Sequence, residues 1–167
     1  VYEIAPVNGL AAPDGRIFLT RGFLDRLDKN DVTEAELASV IAHELGHVAH
    51  GHSRRRMVDF AGQNVIRVVL AGTLGRFLPG IGGWLANLAA AAVAARLSRQ
   101  DEFEADAFAS ALMVKAGLGT GPQKSLFRKL EGLAGGRGSA PAWLMSHPKT
   151  EARIAAIEKL ESRWGLH

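Results

Sequence analysis

VIAHELGHVAHGH, residues Val40 to His52, holds four of the chain's six histidines within ten positions. A spacing of four puts His43 and His47 one turn apart on a single helix face, where two imidazoles can aim at one cation. Glu44 is rotated to the side and can reach a water on that cation. H-E-x-x-H on a helix is the pattern that joins a zinc site to a general base. The flanks supply the helix. Thr33 can cap its start, Glu36 follows three residues later as in a capping box, and apolar Leu37, Val40, Ile41, Leu45 and Val48 recur at helical spacing. Those apolar residues are expected to pack inward around the motif.

A catalytic zinc takes three protein ligands and keeps one position open. The long metzincin pattern needs glycine three residues and histidine six residues after the second histidine, and His50 and Ser53 stand there instead. His50 shares the helix face of His43 and His47, yet a further rise of roughly 4.5 Å takes it past the pair. His50 and His52 are therefore read as surface residues or neighbours of the site. The third ligand is expected in SRQDEFEADAFA, Ser98 to Ala109. Glu102 and Asp106 are four apart on one helical face, so Glu102 can bind metal while Asp106 accepts the other ring N–H of a ligand histidine. Spacing by itself does not choose between Glu102 and Glu104.

Around these motifs the chain reads as one domain over residues 1–167, long enough to bury a core without staples. It has no cysteine, which excludes disulfides, thiolate ligands and a cysteine nucleophile. The net charge of +3 is mild. The one dense basic run, Arg54-Arg55-Arg56, lacks interleaved aromatics, so it is read as a solvated helix face and not as a nucleic-acid surface. The start at Val1 suggests a domain excised from a longer chain. Asn8 to Thr20 carries a Pro13-Asp14-Gly15 turn followed by the β-prone Ile17, Phe18 and Leu19, which fits a hairpin or edge strand. Residues 77–95 hold no charge, but Pro79, Gly80, Gly82 and Gly83 interrupt them, so a buried helix is expected over a membrane span. Peripheral membrane contact through 77–95 stays open. Further helices are expected over 81–115, 123–133 and from Pro148 onward, with GGRGSAP between the last two and Ile154, Ile157 and Leu160 facing inward.

HELGH, SRQDEFEADAFA and then SHPKTEARI, Ser146 to Ile154, together resemble the HtpX-like and CAAX prenyl protease family of gluzincin zinc metalloendopeptidases, which has BepA-like soluble members. NGLAAPDGRIFLTRGFL, Asn8 to Leu24, is similar to the segment before the metal helix in that family. The resemblance covers residues 8–157. It implies a predominantly helical α+β zincin-like fold with a small hairpin or sheet beside the HExxH helix. It places the third zinc ligand at Glu102 and the outer partner at Asp106, and it puts His147 and Arg153 near the metal as stabilisers of the oxyanion. It also implies a bacterial periplasmic or membrane-associated setting. The convincing transmembrane helices of some relatives have no counterpart here.

The expected chemistry is hydrolysis of internal peptide bonds in unfolded or misassembled proteins, with one Zn2+ per chain held by His43, His47 and Glu102. Glu44 acts as general base, and His147 and Arg153 hold the oxyanion. The polypeptide substrate is expected to add as a strand along the edge Arg16 to Arg21. The competing expectation is a latent or non-catalytic metal-stabilised chaperone module, with His147 in the fourth zinc position.

Overall fold

The computed structural model describes residues 1–12, 14–77, 82–134, 143, 147 and 150–166. The chain divides into two compact units, Val1–His50 with Glu102–His167, and Gly51–Asp101. The sequence pointed to one domain. The division arises because residues 51–101 form an insertion between the helix that carries HELGH and the stretch that carries EFEAD.

In the first unit β1 (Gly9–Ala11) and β2 (Ile17–Leu19) pair antiparallel, Leu10 opposite Phe18. Asp14 and Gly15 make the turn between them, with Gly15 N–H donating to Ala12 O at 3.0 Å; Pro13 lies outside the described residues. The hairpin expectation holds. Tyr2 forms a parallel bridge to Thr20, donating to Leu19 O at 2.8 Å and accepting from Arg21 N–H at 2.7 Å. The N-terminal segment thus covers the Leu19–Arg21 end of the edge formed by Arg16 to Arg21.

Helix α1 (Arg21–Asp28) leads to α2 (Glu34–Ala49), and the expected capping box is formed: Thr33 Oγ1 accepts from Glu36 N–H at 3.2 Å while Glu36 accepts from Thr33 N–H at 2.8 Å. Helix α2 ends at His50, and Gly51 follows in the left-handed region at φ 64°, which suits a residue without Cβ. The C-terminal part of α4 (Gly82–Lys115) belongs to this unit from Glu102 onward, followed by α5 (Gly121–Ala134) and α6 (Thr150–Trp164). Pro148 and residues 135–141, expected to start the last helix and to precede it, lie outside the described residues.

The core joins Phe23, Val32, Leu37, Val40, Leu126, Phe127, Leu130, Trp143 and Ile157, so that α1, α2, α5 and α6 bury one apolar volume. A smaller cluster, Ala42, Ala109 and Met113, packs α2 against α4. Ile157 is inward as expected, and Ile154 and Leu160 are half-buried. Leu45 is 36% exposed and Ile41 and Val48 are only half-buried. The expectation that these three wrap the motif is corrected: the buried face of α2 is the one bearing His43, Glu44 and His47, and Leu45 points elsewhere.

The second unit contains α3 (His52–Phe77) and the first part of α4. Asp101, 2% exposed, receives Arg55 at 3.2 Å, Arg56 at 3.3 Å and His52 Nε2 at 3.6 Å. The basic run keeps solvent-exposed side chains as expected, and two of its arginines also reach a buried carboxylate. Among the described residues no helix is long and apolar enough to cross a membrane; of the charge-free stretch 77–95, residues 78–81 lie outside the description.

Candidate metal centre

The site depends on how closely two helices approach. A Cβ added to Gly46 would stand 2.8 Å from both the Cα and the carbonyl oxygen of Ala105, so α2 and α4 touch backbone to backbone at the centre of HELGH. Glu102 and Asp106 flank Ala105 on α4 as His43 and His47 flank Gly46 on α2. The crossing brings four polar residues, each 3% exposed or less, into one volume.

There His43 Nε2 lies 3.0 Å from His47 Nε2, and each is 3.4 Å from an oxygen of Glu102. His147 enters the same volume, its Nδ1 at 2.8 Å from Glu102 Oε2 and 3.3 Å from His43 Nε2. These four side chains form a buried group able to hold a metal ion. A tetrahedral zinc with ligands about 2.0–2.1 Å away spaces its ligand atoms about 3.3 Å apart, so the set fits zinc in donor type and in spacing.

The outer contacts fix which ring nitrogen faces the cluster. Asp106 Oδ1 accepts from His43 Nδ1 at 2.9 Å, which leaves the Nε2 lone pair turned toward His47 and Glu102. Burial pushes His43 down, but the hydrogen bonds to Asp106 and Glu102 outweigh it and raise it to about 8. Burial pushes His47 below its ordinary value. Burial would raise Glu102, yet hydrogen bonds from His147, His43 and His47 hold its carboxyl far below the usual carboxylate range. Glu44, 2% exposed, sits beside the cluster with its Oε1 lacking any hydrogen-bond partner and 3.5 Å from His147 Nε2. A buried carboxylate oxygen left without a donor is costly unless something mobile, such as water or substrate, completes it.

Arg153, 1% exposed, lies behind the ligands. Its Nε and Nη2 donate to the two oxygens of Asp106 at 2.6 and 2.7 Å, and its Nη1 donates to His147 O at 3.0 Å and pairs with Glu102 Oε2 at 3.2 Å. Facing Arg153, Asp106 keeps its carboxyl below the ordinary value despite burial. The guanidinium is thus directed at Glu102, Asp106 and the backbone of His147.

The structure brings His43, Glu44, His47, Glu102, Asp106, His147 and Arg153 together. Glu104, the spacing alternative to Glu102, is half-buried and outside that volume. His50 is the exposed C-cap of α2, whereas His52 is fully buried in the second unit. Two contributors escaped the sequence. Trp143, 1% exposed, stacks on His147 with centroids 5.0 Å apart and lies 5.2 Å from the Arg153 guanidinium; its only signal was a place four residues before His147. Gln123, 2% exposed, reaches Asp106, and nothing in its local sequence distinguished it from a solvated residue in a first helical turn.

A helix presenting two histidines and a glutamate is crossed by a second helix that delivers a carboxylate to the same point, which defines a candidate metal centre. The chain belongs to Peptidase family M48, whose family model matches residues 4–161. It is 31% identical over 166 residues to Metalloprotease LoiP of Escherichia coli strain K12, covering 99% of this chain and 63% of that protein. To Metalloprotease YcaL of the same strain it is 33% identical over 157 residues, covering 94% of this chain and 59% of the relative. A Vibrio cholerae protein called putative beta-barrel assembly-enhancing protease is 33% identical over 130 residues, 73% of this chain and 26% of its own length. The chain therefore spans about three fifths of the first two relatives. No solved structure gives a significant match.

Proposed function

We propose that the protein is a zinc-dependent metalloendopeptidase that cleaves internal peptide bonds of unfolded or misassembled polypeptides. The observation that carries this reading is the meeting of His43 Nε2, His47 Nε2 and the Glu102 carboxylate beside the buried Glu44 Oε1, which accepts no hydrogen bond and lies 3.5 Å from His147 Nε2. His43, His47 and Glu102 would hold the ion. A bound zinc supplies Lewis acidity, making water nucleophilic near neutral pH and polarising the scissile carbonyl.

The remaining work belongs to the chain. Glu44 Oε1 takes the water's proton as general base and delivers it to the leaving amine, a role worth typically 10² to 10⁴ in rate. Asp106 fixes the His43 tautomer, and Arg153 holds Asp106 and Glu102 in place from behind. Substrate adds as a strand along β1, whose Gly9 lies against Val40 and Glu44 of α2; backbone pairing there binds an extended chain with little regard to its side chains. The name of the Vibrio cholerae relative fits a role in assembly quality control.

A second reading is favoured by one observation, the position of His147 Nδ1 at 2.8 Å from Glu102 Oε2 and 3.3 Å from His43 Nε2. With His147 as fourth ligand the metal centre would be closed and the enzyme latent, since a catalytic zinc keeps a position for water.

Casein cleavage and bound zinc measured on wild type and Glu44→Gln test the main reading. We expect one zinc per chain in both and cleavage lost by at least about 10² in the variant. A wild type that holds no zinc, or a variant that cleaves as well as wild type, overturns it.

A further inference from the structure

We propose that Gln123 is a positioning residue for the metal centre, acting through Asp106 on the ligand His43; the inference rests on the zinc-site reading above. Gln123 is the third residue of α5, and a glutamine there ordinarily points to water. Here it is 2% exposed and faces α4. Its Nε2 lies 3.3 Å from Asp106 Oδ1 and 3.4 Å from Asp106 O. On its other side Ser110 Oγ, wholly buried, donates to Gln123 Oε1 at 2.9 Å.

The carboxylate gives the amide its direction. Asp106 Oδ1 and O only accept, so the NH2 end of Gln123 must face them, and its carbonyl end turns to Ser110, one turn beyond Asp106 on α4, whose hydroxyl donates to it. The flipped amide would set an oxygen against the carboxylate, placing two acceptors in contact in a buried space. Ser110 supports, from the other end, the orientation in which Gln123 donates to the oxygen that accepts His43 Nδ1–H.

Asp106 needs this support because its two oxygens are not equivalent. Oδ2 is held by Arg153 Nε alone, whereas Oδ1 accepts from Arg153 Nη2, His43 Nδ1 and Gln123 Nε2. Arg153 grips the carboxylate like a fork, and such a grip still leaves the plane free to rock about the axis joining the two groups. A donor from α5 on the Oδ1 side opposes that rocking, which otherwise swings the His43 ring and moves its Nε2 away from His47 and Glu102. The support of one ligand thereby draws on α4, α5 and α6 together. Contacts of this outer kind typically change metal affinity by 10- to 100-fold when removed.

The test uses the whole chain and zinc itself. Zinc affinity is measured by competition with a chromophoric chelator for wild type, Gln123→Met, which keeps the length and removes the donor, and Ser110→Ala, which leaves Gln123 in place but removes the donor that holds its carbonyl end. Melting of each metal-free protein is followed in parallel, and the 15N shifts of the His43 ring in the zinc-bound proteins report which nitrogen carries the proton. We expect Gln123→Met to lose about 10-fold or more in zinc affinity and Ser110→Ala to lose less. We also expect the His43 Nδ1–H signal to broaden or shift in both. If both folded variants bind zinc as wild type does with an unchanged His43 signal, the inference is overturned. It is equally overturned if the affinity loss is confined to variants whose metal-free form is already unfolded. A wild type that binds no zinc overturns instead the reading on which the inference rests.

Discussion

Replacing Gly46 by alanine sets two physical effects against each other with opposite signs. In a helix interior alanine is favoured over glycine by about 1 kcal/mol, so local propensity would raise the melting temperature. Gly46, however, lies where a Cβ would stand 2.8 Å from Ala105 Cα and O, and carbon contacts are comfortable only from about 3.5 Å. The helices must part by roughly 0.7 Å to admit the methyl group, at an over-packing cost of about 1–3 kcal/mol. The net expectation is destabilisation of up to about 2 kcal/mol, a fall of several degrees for a chain of this size. The more informative consequence is at the ligands. Glu102 is one turn from Ala105, so the same displacement moves its carboxylate away from His43 and His47, now 3.4 Å distant, and a metal site tolerates only about 0.2 Å. Zinc affinity should fall about 10-fold or more, with cleavage falling alongside. Thermal melts of the metal-free protein and chelator competition measure the two parts separately. A raised melting temperature with unchanged zinc affinity would refute the claim that this glycine sets the distance between the motif helices.

Other outcomes follow from the same geometry. His147→Ala should raise basal cleavage if His147 closes the metal centre, as its spacing to Glu102 and His43 favours; a fall of about 10² or more would return it to an oxyanion role. Arg153→Met leaves the Asp106 carboxylate buried without its cation and should cost about 3–5 kcal/mol in denaturant unfolding, whereas loss of cleavage with full stability would show Arg153 acting on substrate. Glu36 is held below its ordinary value: burial opposes ionisation, but Lys129, Ser125 and the Thr33 N–H outweigh it. Its folded pKa being depressed, its stabilisation is present above about pH 4.5 and lost as pH falls below that value. Unfolding free energies of Glu36→Gln and wild type should therefore converge in acid, and a difference that stays constant from pH 7 to pH 3 would contradict the assignment. Chelation should abolish cleavage and re-added zinc should restore it, with intact wild-type activity after verified zinc removal as the contrary result.

Elements set by short-range rules were legible in the chain. The Thr33 and Glu36 capping box and the turn at Asp14 and Gly15 each follow from contacts within a few residues, and the structure has each in place. The four-residue spacings of His43 with His47 and of Glu102 with Asp106 also survive, because helical periodicity fixes which residues share a face whatever lies opposite. Periodicity does not say which face is buried, and Leu45 shows the difference: hydropathy turned it inward, while the packing of α4 against Gly46 buries the histidine face and leaves Leu45 at the surface.

What the sequence determined by itself was an inventory with local geometry: two histidines and a glutamate on one helix, two carboxylates on another, a hairpin before them. The tertiary structure alone decided that Tyr2 bridges Thr20 at the end of β2, across eighteen residues of chain. It also brought Arg153 against Asp106 and Glu102, Gln123 against Asp106, and Trp143 onto His147. Those assignments depend on which helices touch and at what separation. Such distances come from burial balanced over the whole core, and no window of neighbouring residues contains them.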